Sequence, residues 1–497
     1  MLYTSTRDNN LSVTSAQAIE KGISVEGGLF VPNAIPQIDK AFLDTLKDKS
    51  YIDRAYDVLS LFLTDYTEEE LRACVTGAYS TGFAHEDVAP VVKLHDNVHI
   101  LELWHGPTCA FKDMALQLLP YLLTTASRKG GSDKEIVILV ATSGDTGKAA
   151  LEGFKDVDGT RILVFFPNDG VSPMQKLQMT TQAGSNVGVS SIYGNFDDAQ
   201  TGVKKIFTDP EIRSILDNNG FAFSSANSIN WGRLAPQIVY YFSAYCDLLK
   251  KGEIANGDEI NIVVPTGNFG NILAAYYAKK MGLPVKKLIC ASNANNVLTD
   301  FLTTGKYDRN RPFHTTVSPS MDILISSNLE RLLYDMCGKD DALLRNWMQS
   351  LNETGAYSVG DDLLAQIKEL FAAGCCDDKA TAETIGEVYK TYNYLCDTHT
   401  AVAVKVYEDY RKETGDTAPA VIASTASPFK FSAAVLEAVN DGAAMPEDEF
   451  GMVEMLQSTT ANNAPAQLLS LKGATPRFTG ICTKEEMRKV VFDMLGI

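Results

Sequence analysis

Three segments of this 497-residue chain share one layout, in which an apolar strand is followed by a polar loop and then a helix. The predicted strands cover residues 136–141, 260–264 and 420–423, and the loops cover 142–147, 265–271 and 424–428. Strands that are apolar on both faces and alternate with helices predict parallel sheets covered on both sides. Ligands collect at the carboxyl ends of such strands, which is where all three loops fall.

The second loop has the composition of an anion-binding site. Successive backbone N–H groups in a glycine-rich loop, continued by a helix N-terminus, form a cradle for an anion, and residues 267–271 (Gly-Asn-Phe-Gly-Asn) fit that pattern. A plain turn is the alternative. Residues 144–149 fail the P-loop pattern, and none of the three loops contains GxGxxG. ATP and NAD are therefore not expected.

Lys112 is a candidate nucleophile. It follows a Gly-Pro turn and stands at the predicted start of a helix that runs to about Ser127. A helix N-terminus disfavours an ammonium, and the apolar neighbours Phe111 and Met114 would add desolvation. Both effects lower a lysine pKa and favour the neutral amine that forms a Schiff base with a carbonyl. The alternative is an exposed lysine paired with Asp113.

Composition narrows the class of partner. The chain has 62 Asp+Glu against 44 Lys+Arg, a net charge of −18, which repels nucleic acid and anionic lipid. The nine cysteines are scattered without a CxxC pair, and His95 and His99 lie in a strand-like pattern, so no metal is expected. Neither a signal peptide nor a membrane-length apolar run is recognised. We expect a cytoplasmic enzyme with a small-molecule substrate, as a monomer or homodimer.

Residues 105–113 (His-Gly-Pro-Thr-Cys-Ala-Phe-Lys-Asp) resemble the cofactor-lysine segment of threonine synthases, which belong to the pyridoxal phosphate (PLP) enzymes with the tryptophan synthase β-subunit fold. Residues 3–7 and 28–32 resemble that family's N-terminus, and the three loops occur in the family's order. The resemblance implies two open α/β domains plus an N-terminal, mostly helical domain. We expect the N-terminal domain at 1–95, the large PLP-binding domain at 96–130 and 230–497, and the small substrate-binding domain at 131–229.

The resemblance also implies roles for individual residues. Lys112 would bind PLP covalently, Thr425 would hydrogen-bond the pyridine nitrogen, and Asp145 would lie near the cofactor ring. The cofactor phosphate would be bound by Gly267, Asn268, Phe269, Gly270 and Asn271. The substrate-binding candidates are Ser143, Gly144, Thr146, Lys176, Asn227, Ser228, Asn230 and Arg233.

For two of these positions the sequence leaves a question open. Arg233 can fork onto phosphate oxygens, and the alternative is a structural ion pair. Residues 396–401 resemble a family stretch in which proline more often stands where this chain has Thr398. We assign no catalytic role to that stretch.

The activity implied by the resemblance is a lyase reaction of threonine biosynthesis, in which O-phosphohomoserine and water give threonine and phosphate. A PLP-dependent eliminase, such as a phospholyase paralogue or a threonine dehydratase-like enzyme, would use the same lysine and loop but release ammonia and a keto acid. A ligand-binding relative without catalysis is a third possibility, against which the presence of Lys112 and Thr425 argues.

Overall fold

The computed structural model describes residues 1–142, 144–169, 171–440 and 442–497. Its N-terminal region combines a small antiparallel sheet, ordered β2-β1-β3, with four helices. These elements are β1 (Leu2–Ser5), β2 (Asp8–Thr14), α1 (Ser15–Lys21), β3 (Phe30–Pro32), α2 (Lys40–Leu46), α3 (Tyr51–Ser60) and α4 (Glu68–Tyr79).

The chain then forms a hairpin and a helical connection before it enters a second sheet. The elements are β4 (Val91–His95), β5 (Val98–Glu102), α5 (Asp113–Leu116) and α6 (Leu119–Lys129). The second region contains β6 (Glu135–Ala141), α7 (Asp145–Phe154), β7 (Thr160–Pro167), α8 (Pro173–Thr180), β8 (Val187–Ile192), α9 (Phe196–Thr208), α10 (Pro210–Asn218) and β9 (Phe221–Ser224).

The buried helix α11 (Trp231–Lys251) leads the chain from the second region back to the six-stranded sheet that contains β4 and β5. The first half of this larger region also contains β10 (Ile260–Pro265), α12 (Gly270–Met281), β11 (Val285–Ser292), α13 (Val297–Thr304), β12 (Lys306–Asp308), the 3-10 helix Pro319–Met321, α14 (Leu329–Met336), α15 (Asp341–Thr354) and β13 (Ala356–Ser358). The remainder contains α16 (Asp361–Leu370), β14 (Phe371–Cys375), α17 (Asp378–Tyr392), α18 (Thr398–Thr414), β15 (Ala420–Ser424), the 3-10 helix Pro428–Phe431, α19 (Ser432–Val439), α20 (Glu449–Thr460), α21 (Ala466–Leu469), β16 (Ile481–Cys482) and α22 (Met487–Leu495).

The large sheet has the strand order β14-β11-β10-β15-β5-β4 and is parallel except for the β4–β5 pair. Alternate residues of β10 enter different apolar clusters: Val263 packs with Val402 of α18, whereas Val264 packs with Ile272 of α12. Both faces of the strand are therefore covered by helices, which is why the sequence of the strand is apolar throughout. The predicted α/β fold class is confirmed.

The small sheet is parallel, with the order β16-β8-β7-β6-β9. Strand pairing differs from the predicted domain limits at two points. Strand β4 lies in the large sheet although we placed it in the N-terminal domain, because it forms a hairpin with β5. Strand β16 lies in the small sheet, since Ile481 and Cys482 pair with β8 and Met487 of α22 packs in the core beneath that sheet.

Two of the three predicted loops lie side by side because β10 and β15 are neighbouring strands. The segment before Lys112 reaches the same place, where the Phe111 N–H donates to the Thr425 carbonyl at 2.8 Å and Ala110 forms a bridge with Ala426. The first of the three loops, at 142–147, leads into α7 beside the small sheet. Among the described residues, the helices lack the combination of length and apolar character that spanning a membrane would require.

Candidate active site

Lys112 lies on a tight turn closed by a buried carboxylate. The Thr108 N–H and hydroxyl donate to Asp113 at 2.8 and 2.7 Å, and a Cβ at Gly106 would lie 2.5 Å from the same carboxylate. Burial raises the pKa of Asp113 to about 6, against the opposing effect of the Thr108 hydrogen bonds. Asp113 is therefore bound to Thr108, and the alternative in which it pairs with Lys112 is wrong.

The amine of Lys112 is mostly buried and makes only long polar contacts within the described residues. Its Nζ lies 3.4 Å from Ser320 Oγ and 4.0 Å from Asp145 Oδ2, and its side chain is 12% exposed. Burial lowers the pKa of Lys112 to about 8, although the Asp145 carboxylate acts in the opposite direction. Because α5 has only four residues, desolvation rather than a helix dipole is the main cause. The amine has the character expected of a nucleophile.

Asp145 and Lys430 form a buried ion pair next to this amine. Lys430 Nζ lies 2.5 Å from Asp145 Oδ1 and donates to the Thr108 carbonyl at 3.0 Å, and Gln175 Nε2 donates to Asp145 at 3.1 Å. Burial would raise the pKa of Asp145, but the charges of Lys430 and Lys112 hold it well below its usual range. Asp145 thus presents a fixed negative charge beside Lys112.

Lys430 is a residue of the site that the sequence did not predict. The residue follows the third loop by two positions and lies in the 3-10 helix Pro428–Phe431, between apolar neighbours. A lysine in such a segment is a signal of burial, and a buried lysine requires a carboxylate partner. The identity of that partner could not be read from the sequence, because Asp145 is far away along the chain.

The glycine-rich loop joins β10 to the N-terminus of α12. Phe269 adopts the left-handed conformation, with φ of 64°. The loop is fixed from outside, since Ser326 Oγ donates to the Gly267 carbonyl at 2.8 Å and Asn328 Nδ2 donates to the Asn268 carbonyl at 3.1 Å. With its carbonyls bound in this way, the loop leaves its N–H groups and the α12 N-terminus for an anion.

An unsatisfied side-chain donor beside the loop fits a bound phosphate. Asn271 Oδ1 accepts hydrogen bonds from Tyr240 and Tyr241, whereas the buried Asn271 Nδ2 has no partner in the described part of the chain. A Cβ at Gly270 would lie 3.5 Å from Asn328 Nδ2 and 3.7 Å from Gln237 Nε2, but these amides already donate to the Asn268 and Arg233 carbonyls. An anion bound by the loop would therefore satisfy Asn271 Nδ2, the donor that the described residues leave free.

Arg233 is a buried cation for which no carboxylate partner is found among the described residues. It is 4% exposed, its Nη1 lies 2.5 Å from the Ala226 carbonyl, and its Nε makes no hydrogen bond there. Burial lowers the pKa of Arg233 to about 10, and its charge in turn lowers the pKa of Lys112. The structural ion pair considered as the alternative does not form within the described structure. The guanidinium fits an anionic ligand instead.

The other predicted substrate residues fall into several groups. Gly144 and Thr146 flank Asp145 at the start of α7, and Ser143 lies outside the described residues. Asn227 is exposed, and Ser228 lies 3.5 Å from Asn328 Nδ2. No contact in the described residues joins any of these side chains to Lys112, and their roles stay predictions.

Two of the predicted substrate-binding side chains make hydrogen bonds to other residues of the protein. Asn230 is the N-cap of α11, where its Oδ1 accepts the Gly232 N–H and its Nδ2 donates to the Ile19 and Ser225 carbonyls. These bonds make Asn230 a capping residue and leave it no free amide hydrogen, and its contact with substrate stays a prediction. Lys176 Nζ lies 3.1 Å from Asn168 Oδ1, and its proposed contact with phosphate stays a prediction.

Family models and known proteins agree with this geometry. Three models match the chain: "Threonine synthase N terminus" at residues 2–79, "Pyridoxal-phosphate dependent enzyme" at 85–425 and "Threonine synthase, C-terminal" at 400–487. The chain is 41% identical to human Threonine synthase-like 1 over 85% of its length, and it spans 58% of that relative. It is 37% identical to the threonine synthase of Schizosaccharomyces pombe, over 87% of the chain and 88% of the relative.

A solved structure is similar over the whole fold. The PLP-bound threonine synthase of Brucella melitensis superposes with a TM-score of 0.88 at 38% identity, covering 99% of both chains. The fold and these comparisons thus define a PLP-dependent enzyme, and the assignment of Lys112 as its amine and of the loop after β10 as its phosphate site stays a prediction. Within that class, the chain belongs to the threonine synthase family.

Proposed function

We propose that this enzyme converts O-phospho-L-homoserine and water into L-threonine and phosphate. The observation that carries the proposal is the buried guanidinium of Arg233, which has no carboxylate partner among the described residues and whose charge acts on Lys112. The loop at 267–271 accounts for the phosphate of the cofactor, so Arg233 is available to a second anion. A phosphorylated amino acid supplies that anion.

The proposed reaction needs a group that moves protons at two neighbouring carbons. Bound PLP supplies delocalisation of the charge that remains when a proton leaves an amino-acid carbon. The Lys112 amine, with its pKa lowered to about 8, can accept and return protons near neutral pH. Asp145 keeps a negative charge beside it, and Arg233 would stabilise the phosphate as it leaves the γ-carbon. Residues 143, 144 and 146 and the Thr425 hydroxyl retain their predicted binding roles.

A phospholyase or eliminase is the second candidate. The observation that favours it is that relatives at 41% identity carry the name Threonine synthase-like 1 and not threonine synthase. Such an enzyme would use the same amine and the same two anion sites. The two reactions differ in their products, because the eliminase releases ammonia and a keto acid.

Product analysis separates these candidates. Purified enzyme with added PLP and O-phosphohomoserine should release threonine and phosphate in equal amounts, and Lys112→Ala should release neither. Phosphate with ammonia and a keto acid would transfer the assignment to the eliminase. A protein that forms no visible PLP band and turns over no substrate would contradict both candidates.

We further propose a cytoplasmic location and a single polypeptide or a homodimer as the functional unit. All nine cysteines are unpaired, which suits a reducing compartment. Cell fractionation and sedimentation of the purified chain test the location and the oligomeric state.

We also propose two domains on the basis of the two main sheets. The large domain contains β4, β5, β10, β11, β14 and β15, and the small domain contains β6–β9 with β16.

A further inference from the structure

We propose that Asp397 and His399 are positioning residues, which hold Ser320 against Lys112 and against the anion loop. This inference rests on the proposed function, since it assigns residues that support the same amine. The three side chains come from the residue before α18, from α18 itself and from the 3-10 helix Pro319–Met321.

The Asp397–His399 pair fixes the imidazole in one tautomer. His399 Nδ1 lies 2.7 Å from Asp397 Oδ2, and His399 Nε2 accepts the Ser320 N–H at 3.2 Å. Because Nε2 accepts a hydrogen bond from an amide, the ring proton is on Nδ1, where the carboxylate receives it. Both side chains are buried, so water does not compete for these bonds.

Asp397 is itself tied to the backbone of α18. Its carboxylate accepts the N–H groups of His399 at 3.0 Å and Thr400 at 3.1 Å, as an N-cap does. The Thr400 hydroxyl bonds Asp397 and also lies 3.0 Å from Ser424 Oγ, at the end of β15. The imidazole is thereby fixed relative to the strand that carries the Thr425 loop.

Three contacts converge on Ser320. Its N–H donates to His399, its Oγ accepts from Lys112 Nζ at 3.4 Å, and its carbonyl oxygen would lie 2.6 Å from a Cβ at Gly267. This residue therefore separates the amine from the anion loop and touches both. If the acceptor on His399 is lost, the Ser320 N–H has no partner in this arrangement and the turn can shift. A shift of about 1 Å at a reacting group costs on the order of 100-fold in rate.

The test is a double-mutant cycle on the holoenzyme. We would prepare His399→Phe, Ser320→Ala and the double variant, and measure the pH midpoint of the visible PLP band in the absence of substrate. We expect each single variant to shift the midpoint in the same direction and to lower kcat roughly 10- to 100-fold, with KM changed less than about threefold. The double variant should add nothing to the larger single effect.

Two further variants separate positioning from packing. His399→Gln keeps an acceptor that can reach Ser320 N–H, and it should recover most of the band midpoint and of kcat. His99→Phe is the matched control. The side chains of His99 and His399 are both 2% exposed, but His99 lies on β5 and contacts Glu253, which follows α11. It should leave the midpoint and kcat unchanged.

Additive effects in the cycle, or a His399→Phe enzyme with an unchanged band, would overturn the inference. If His399→Phe fails to fold, Asp397→Asn takes its place in the cycle with the same expected coupling. The band midpoint is read without substrate, so its outcome does not depend on which reaction is catalysed. Coupling without threonine formation would refute the proposed function and leave this inference standing.

Discussion

The Lys430 ammonium lies 2.5 Å from the Asp145 carboxylate, and both side chains are excluded from solvent. Lys112 Nζ lies 4.0 Å from the other oxygen of that carboxylate. Two lysines thus share one acid, and burial lowers the pKa of the farther one, Lys112, to about 8. The site in this way contains a structural lysine and a reactive lysine side by side.

Replacing only one member of the Lys430–Asp145 pair should destabilise the protein. We predict that Lys430→Met lowers the free energy of unfolding by about 3–5 kcal/mol, because it leaves a buried carboxylate without its main cation. The double variant Lys430→Met/Asp145→Asn should recover much of that loss. Denaturant unfolding of the cofactor-free chain measures both.

The control for this prediction is Lys148→Met. Lys148 pairs with Glu152 at 3.0 Å on the same helix, but both side chains are partly exposed. The expected loss there is about 1 kcal/mol or less. If Lys430→Met and Lys148→Met lower the free energy of unfolding by the same amount, the buried pair contributes no more to stability than a partly exposed one.

The lowered pKa of Lys112 predicts how its reactivity depends on pH. In the cofactor-free chain Lys112 should be protonated and unreactive below pH 8, and it should react with acetic anhydride above that value. An ordinary lysine is half deprotonated only at about pH 10.4. Because the Asp145 carboxylate raises the pKa of Lys112, Asp145→Asn should move the midpoint lower still. Mass spectrometry of the labelled peptide gives the midpoint, and a value near 10 would contradict the burial argument.

Arg233 should contribute to binding rather than to stability. We predict that Arg233→Met leaves the free energy of unfolding within about 1 kcal/mol in phosphate-free buffer, because the buried cation has little compensation. It should raise KM for the phosphorylated substrate at least about 100-fold, the loss expected for a charge-assisted pair worth about 3 kcal/mol. In the PLP-loaded enzyme, where the cofactor phosphate would occupy the loop at 267–271, inorganic phosphate should raise the unfolding temperature of the wild type and not of the variant.

Arg331 is the matched control for Arg233. It is equally buried, and its pKa is likewise lowered to about 10 by burial, but its guanidinium donates to the Phe30 and Ile229 carbonyls and to Asn328. Arg331→Met should therefore lose about 3 kcal/mol or more of stability. If Arg233→Met loses as much as Arg331→Met, Arg233 is a structural residue.

The sequence predicts those parts of the site that depend on local pattern. The apolar strands and the polar loops after them indicated a parallel sheet and its ligand edge, and the neighbours of Lys112 indicated a buried amine. The glycines of the second loop indicated an anion site for the same reason, since backbone geometry is local.

Contacts between distant segments could not be predicted in this way. Lys430 reaches Asp145, and His399 reaches Ser320, across long stretches of chain, and no local pattern carries that information. The return of β16 to the small sheet is of the same kind. Asn230 shows a further limit of local pattern, because a segment rich in donors predicts a binding site but does not reveal that one of these side chains caps a helix.

We propose that Lys112, and not its buried neighbour Lys430, carries the cofactor. Borohydride reduction of the PLP-loaded enzyme, followed by digestion and mass spectrometry, fixes the cofactor on the lysine that holds it. We expect the added mass on the peptide that contains Lys112, and its loss from that peptide in Lys112→Ala. Labelling of Lys430 in the wild type, or no labelled lysine at all, would contradict it.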